Sequence, residues 1–168
     1  MASDRATLLR QVIVILATFV VAGVVCGFVW HWLWTPAPQG TVFQHAVFFE
    51  PDAEFRGTGL YMVVAAVGGL FLGLLFGWLF ERDEVTTLAA VAVGGLLAGL
   101  VMALVGHLLG PESAAEVARR TADFERIDGD LHAGPLAAFV AFPGAAVLGN
   151  AVVLITFTRR RLAKEPEG

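Results

Sequence analysis

The chain has 168 residues, 57% hydrophobic and 15% charged, with a mean hydropathy of +0.74 and a formal net charge of −4. An aqueous domain of this size needs far more polar surface than these charges supply, so the composition excludes an ordinary soluble fold. The single cysteine, Cys26, excludes an intramolecular disulfide and paired-thiol redox chemistry.

Four stretches free of Asp, Glu, Lys and Arg are each long enough to span a bilayer: Gln11–Trp34, Gly57–Phe80, Val85–Leu109 and Ala133–Thr158. A helix of about 20 residues crosses a hydrocarbon core of about 30 Å. The expected fold is an all-α membrane protein, a four-transmembrane-helix bundle in a single membrane domain over residues 1–168. Its helices are placed at about 11–34, 59–80, 86–109 and 135–158. Outer loops fall at 35–58 and 110–134, and tails at 1–10 and 159–168.

The first stretch follows "MASDRATLLRQ", which resembles the basic start of a leader peptide. Its apolar run exceeds the about 7–15 residues of a signal peptide and ends in "WHWLW" rather than a small-residue cleavage site, so an uncleaved anchor is expected. Basic residues orient the chain. With both termini cytoplasmic, that side holds Arg5, Arg10, Arg82, Arg159, Arg160, Arg161 and Lys164, and the acid excess lies in the outer loops. Trp30, Trp32 and Trp34 mark one membrane interface and Trp78 the other.

The first outer loop is broken by Pro36, Pro38 and Gly40. Glu50, Asp52 and Glu54 follow His45, a set that can bind a divalent cation, but no ligand spacing is matched and a solvated acidic loop is expected. These acids are candidate interaction residues.

In the second and third helices "AVGGLFLGL" (Ala66–Leu74) returns as "AVGGLLAGL" (Ala92–Leu100), identical at seven of nine positions. The turn "ERDEVT" between them makes an antiparallel hairpin the natural arrangement. Folding about that turn sets Gly68 level with Gly99, Gly73 with Gly94 and Gly69 with Ala98. Lipid tails remove the hydrophobic drive for helix association, so close backbone approach must supply it. Gly69, Gly73 and Gly77, with Gly95 and Gly99 opposite, are therefore expected to pack as a glycine-lined central hairpin. A homodimer through one of these faces is the rival. The first helix has its own Gly23–Gly27 pair.

In the second outer loop Ala114, Val117, Ala118, Thr121, Phe124 and Ile127 recur at helical spacing, and "DGD" ends the pattern. A short amphipathic helix is expected there. Arg119, Arg120 and Arg126 are candidate contacts for phosphate or an anionic partner, with pairing to Glu116, Asp123 and Glu125 the favoured alternative. The fourth helix has Pro135 near its start and Pro143 inside, where a kink is expected. Asn150 is its one strongly polar residue, read as interhelical glue or, in a channel, as a path-lining group. His31 and His107 sit near the outer interface, where packing is the favoured role over metal ligation.

The segments "FEPDAEFRGTGLYMVVAAVGGLFLGLLFG" and "LHAGPLAAFVAFPGAAVLGN" resemble those of uncharacterised small four-span integral membrane proteins from actinobacteria, a domain of unknown function. The resemblance is one of layout over most of the chain. It implies the topology and no activity.

No charge lies inside any span, which weakens proton- or ion-coupled transport. No nucleophile–base pair, metal cluster or phosphate loop can be assembled. The expected function is a non-enzymatic accessory or assembly subunit of a cell-envelope complex, without cofactor or metal and without nucleic-acid binding. Its partners are the lipid bilayer and another membrane protein or further copies of itself. The alternative is a small channel or transporter with an uncharged path near Asn150 and Pro143.

Overall fold

The structure, a computed structural model, describes residues 2–80, 84–134 and 139–162, with side chains for 5–50, 55–80, 84–134 and 139–156. In chain order the elements are α1 (Ala2–Trp34), β1 (Gln39–Phe43), β2 (Ala46–Phe48), α2 (Pro51–Leu79), α3 (Glu84–Leu109), α4 (Ala114–Arg120), β3 (Arg126–Asp128) and α5 (Ala141–Leu162). Helices α1, α2 and α3 are long and apolar enough to cross a membrane, and α5 carries a shorter apolar stretch, Ala141–Thr156. Their outward faces are apolar: Val21, Val25 and Phe28 on α1, Val63, Val67 and Phe71 on α2, and Leu100, Leu104 and Leu108 on α3 are all exposed. Such continuous apolar surface suits lipid and not water.

The four long helices form a ring in which α1 neighbours α2 and α3, and α5 neighbours the same two. Helices α2 and α3 lie across the ring and touch sparsely. The glycine-lined α2–α3 hairpin is therefore corrected. A Cβ on Gly69 or Gly73 would collide with the backbone of α5, at Phe142 and Ala146, and one on Gly95 would lie 2.7 Å from Pro143 Cα. Gly94 meets Phe19 of α1, while Gly68 meets Cys26 and Phe142. Small residues do mark close approach, but a repeated motif carries no address. Each helix in a ring has two flanks, and here bulky side chains fill the centre between α2 and α3.

The two tightest pairs run parallel. On α1, Gly23 lies against Ala98 and Gly27 against Val105, and Gln11 Nε2 donates to Thr87 Oγ1 at 2.8 Å. On α2, Gly73 lies against Ala146 and Gly77 against Val153. Aromatic rings fill the centre: Phe19 stacks on Phe76 at 5.9 Å and meets Phe142 edge-on at 6.1 Å, and Tyr61 meets Trp30 at 5.1 Å and Phe139 at 5.7 Å.

Trp30 and Trp34 are core residues, and only Trp32 of that cluster is exposed, at 73%. Trp30 faces the gap left by Gly106 and donates through Nε1 to Gly57 O at 2.9 Å. A buried indole needs such a partner. Pro143 stands in the first turn of α5, directly after a 3-10 turn at 139–140. Proline is tolerated at a helix start because the amide it lacks has no intrahelical acceptor. Pro135 lies outside the described residues, as do Glu81, Arg82 and Asp83 of the connecting turn.

Candidate functional site

At one end of the bundle the segments between the long helices fold into a cap. The strands form a three-stranded antiparallel sheet in the order β2–β1–β3. Phe43 pairs with Ala46, leaving the two-residue turn Gln44–His45 with φ of 50° and 61°. Positive φ at both positions is the backbone of the mirror-image turn that best suits hairpin twist. The sheet joins the two halves of the chain, since β1 also pairs with β3 from Gln39 opposite Asp128 to Thr41 opposite Arg126.

Alternation drives this register. Gly40 and Val42 point inward along β1, with Val42 fully buried, while Gln39, Thr41 and Phe43 are exposed. Helix α4 buries Ala114 and Ala118 and packs on β2 and β3. It ends at Arg120, seven residues long, so the helical spacing read through Ile127 overruns it. Thr121 turns extended, and Ile127 continues as strand. Further ties hold the cap to the bundle: Gly134 N donates to Thr58 Oγ1 at 2.9 Å, and Leu131 is buried in the common core.

At the edge of the cap Phe124 is left with φ 70° and 75% exposed. Its ring meets that of Phe43 at 5.6 Å. Three bonds hold this corner: Phe124 N to Val42 O at 2.7 Å, Val42 N to Glu125 O at 2.9 Å, and Gln44 N to Asp123 Oδ1 at 2.9 Å. A bulky residue in the left-handed region is an outlier that persists only when its surroundings impose it.

Two open clefts flank α4. One, of about 470 Å³, is lined by His45, Phe49, Ala115, Arg119 and Asp130 among others. The second, of about 570 Å³, is lined by His107, Glu112, Ser113, Glu116 and Arg120 among others. Arg120 forms an ion pair with Glu112, and His132 Nδ1 lies 3.4 Å from Asp130 Oδ2. Among the described residues no group of three or more His, Cys, Asp or Glu is placed to hold a metal ion.

The structure disperses the residues singled out in the sequence. Arg119 donates through Nε to Ala115 O at 3.3 Å and faces one cleft, while Arg120 faces the other. Arg126 sits on β3, its guanidinium without a polar partner among the described residues. The expected pairings of these arginines with Glu116, Asp123 and Glu125 are thus replaced by Arg120 with Glu112 and by Asp123 with a backbone amide. Glu50 is exposed at the start of α2 and makes no capping bond. The side chains of Asp52 and Glu54 lie outside the described residues. Asn150 is 1% exposed, and neither its Oδ1 nor its Nδ2 has a hydrogen-bond partner among the described residues. It lines neither cap cleft, and neither does Pro143.

The Phe43–Phe124 pair escaped the sequence reading because strand pairing across the two loops leaves no local mark. Comparison with protein-family models, curated proteins and solved structures finds no match.

Proposed function

We propose that the chain is a four-span protein of a bacterial plasma membrane, with both termini in the cytoplasm and the cap outside. There it serves as a non-enzymatic accessory or assembly subunit of a cell-envelope complex, docking a membrane-protein partner through the cap. The observation that carries this reading is the exposed Phe43–Phe124 pair, with Phe124 held on left-handed backbone and Phe48 also exposed on the neighbouring strand. Keeping exposed rings in water, one of them on left-handed backbone, costs stability, and such features concentrate where a partner covers them. Support for four spans comes from the apolar outward faces and from α5, whose apolar stretch Ala141–Thr156 reaches about 24 Å at about 1.5 Å per residue.

The core argues against a conduction role. Trp30, Tyr61, Phe19 and Phe142 are fully buried and meet ring to ring across its centre. The channel reading keeps one observation on its side, the unpartnered amide of Asn150, because intramembrane polar groups often mark a path.

Affinity purification from native membranes followed by mass spectrometry tests the proposal. A membrane partner that co-purifies with the native chain and is lost with Phe43→Ser and Phe124→Ser supports it. Reconstituted flux that vanishes in Asn150→Leu would instead establish the channel.

A further inference from the structure

The two parallel helix pairs share one register. Gln11 bonds Thr87, and Thr58 bonds the backbone of Gly134, both across a separation of 76 residues. Trp30 meets Gly106 at that same separation. The sequence repeats at this interval. Ala22, Gly23, Val25, Val29, His31 and Leu33 are matched by Ala98, Gly99, Val101, Val105, His107 and Leu109, six identities in twelve positions. In the second half of each unit Leu60, Val64, Ala65, Gly68, Leu72 and Gly73 are matched by Leu136, Val140, Ala141, Gly144, Leu148 and Gly149. Two separate stretches thus agree at one offset, and it is the offset at which the helices pack.

Between α2 and α5 the contacts are also reciprocal. A Cβ on Gly73 would strike Ala146, and a Cβ on Gly149 would lie 2.6 Å from Leu70 O. Gly149 is the counterpart of Gly73, and Ala146 is the counterpart of Leu70. Residue i meeting j′ while i′ meets j is the signature of an isologous interface between two copies of one unit.

We propose that the chain is a tandem duplication in which residues 9–79 and 85–155 are two copies of one helix–loop–helix unit, paired as a fused dimer. Gly69, Gly73 and Gly77 of α2 and Gly94 and Gly106 of α3 then lie on the surfaces by which each copy recognises the other. They are filled within the chain and are closed to a second molecule. The loops differ in structure: the first copy builds the hairpin β1–β2, the second builds α4 and β3, and β1 joins them in one sheet. That this difference serves partner recognition rests on the function proposed above. The duplication itself does not.

Reciprocal swaps across the seam in the full-length chain test the duplication by thermal unfolding in detergent. Trp30→Gly opens a hole and Gly106→Trp overfills one, so each single change lowers the midpoint by more than about 5 °C. The double variant Trp30→Gly/Gly106→Trp moves the ring to its counterpart position, where its indole N–H faces the carbonyl of Ala133, the counterpart of Gly57. Recovery of most of the loss is expected. A milder swap, Gly27→Ala with Ala103→Gly, moves one methyl group between counterparts and decides the matter if the tryptophan variants do not fold. Recovery in either double variant supports the duplication, and losses that add in both pairs overturn it. Folding is read without any partner, so failure here leaves the docking proposal standing.

Discussion

The hydroxyl of Tyr61 donates a 2.8 Å hydrogen bond to the backbone carbonyl of Gly99, joining α2 to α3 across the centre of the ring. Both residues come from the stretch read as a glycine-against-glycine hairpin. What bridges the two helices is one aromatic ring, itself edge-on to Trp30 and Phe139. Tyr61→Phe keeps the ring and removes the bond, so a loss of about 1 kcal/mol is expected. The thermal midpoint in detergent measures it, and Tyr61→Ala should cost several-fold more because it also empties the core.

The glycines are not equivalent in this arrangement. A Cβ on Gly73 would collide with the backbone of Ala146, which cannot move without parting α2 from α5. A Cβ on Gly99 would lie 3.2 Å from the Tyr61 hydroxyl and needs only a small shift. Gly73→Ala is therefore expected to cost about 2–3 kcal/mol and Gly99→Ala under about 1 kcal/mol. Equal losses would return α2 and α3 to direct contact.

Asn150 holds two polar atoms in the core without partners. Removing an unsatisfied buried group relieves its desolvation cost, so Asn150→Leu is expected to leave stability unchanged or raise it by about 1 kcal/mol. A clear drop in the unfolding midpoint would show that the amide does bond across helices and restore the reading as glue.

Phe124→Gly separates stability from docking. Glycine adopts a φ of 70° freely, which offsets the lost ring contact with Phe43, so the midpoint is expected to move by less than about 1 kcal/mol. Partner capture should fall sharply. A variant that captures its partner as well as the native chain does would remove the aromatic pair from the interface.

The membrane-like helices were legible because long uncharged apolar runs admit few other structures, and α1, α2 and α3 follow those runs closely. Their partners were not legible. The conspicuous repeat Ala66–Leu74 and Ala92–Leu100 links helices that touch only sparsely, while the quieter repeat from Ala22 to Leu33 and Ala98 to Leu109 links two that pack tightly. Local similarity reports small residues and says nothing of which flank they occupy. The sheet was missed for a related reason. Gln44–His45 lacks the Asn-Gly chemistry that normally announces such a turn, and β3 is only three residues long and pairs with a strand far away in sequence. That Trp30 turns into the core beside Gly106 left no mark in the sequence, which speaks only of its depth near the end of α1.

The most direct test of the account is the side of the membrane on which the cap lies. In a Cys26→Ser background, single cysteines replace Arg126 on β3 and Gly168 at the chain end, and intact cells are treated with a membrane-impermeant maleimide. The account expects labelling at 126 in intact cells and at 168 only after the membrane is permeabilised. Labelling at 168 in intact cells, with 126 silent until permeabilisation, would contradict it.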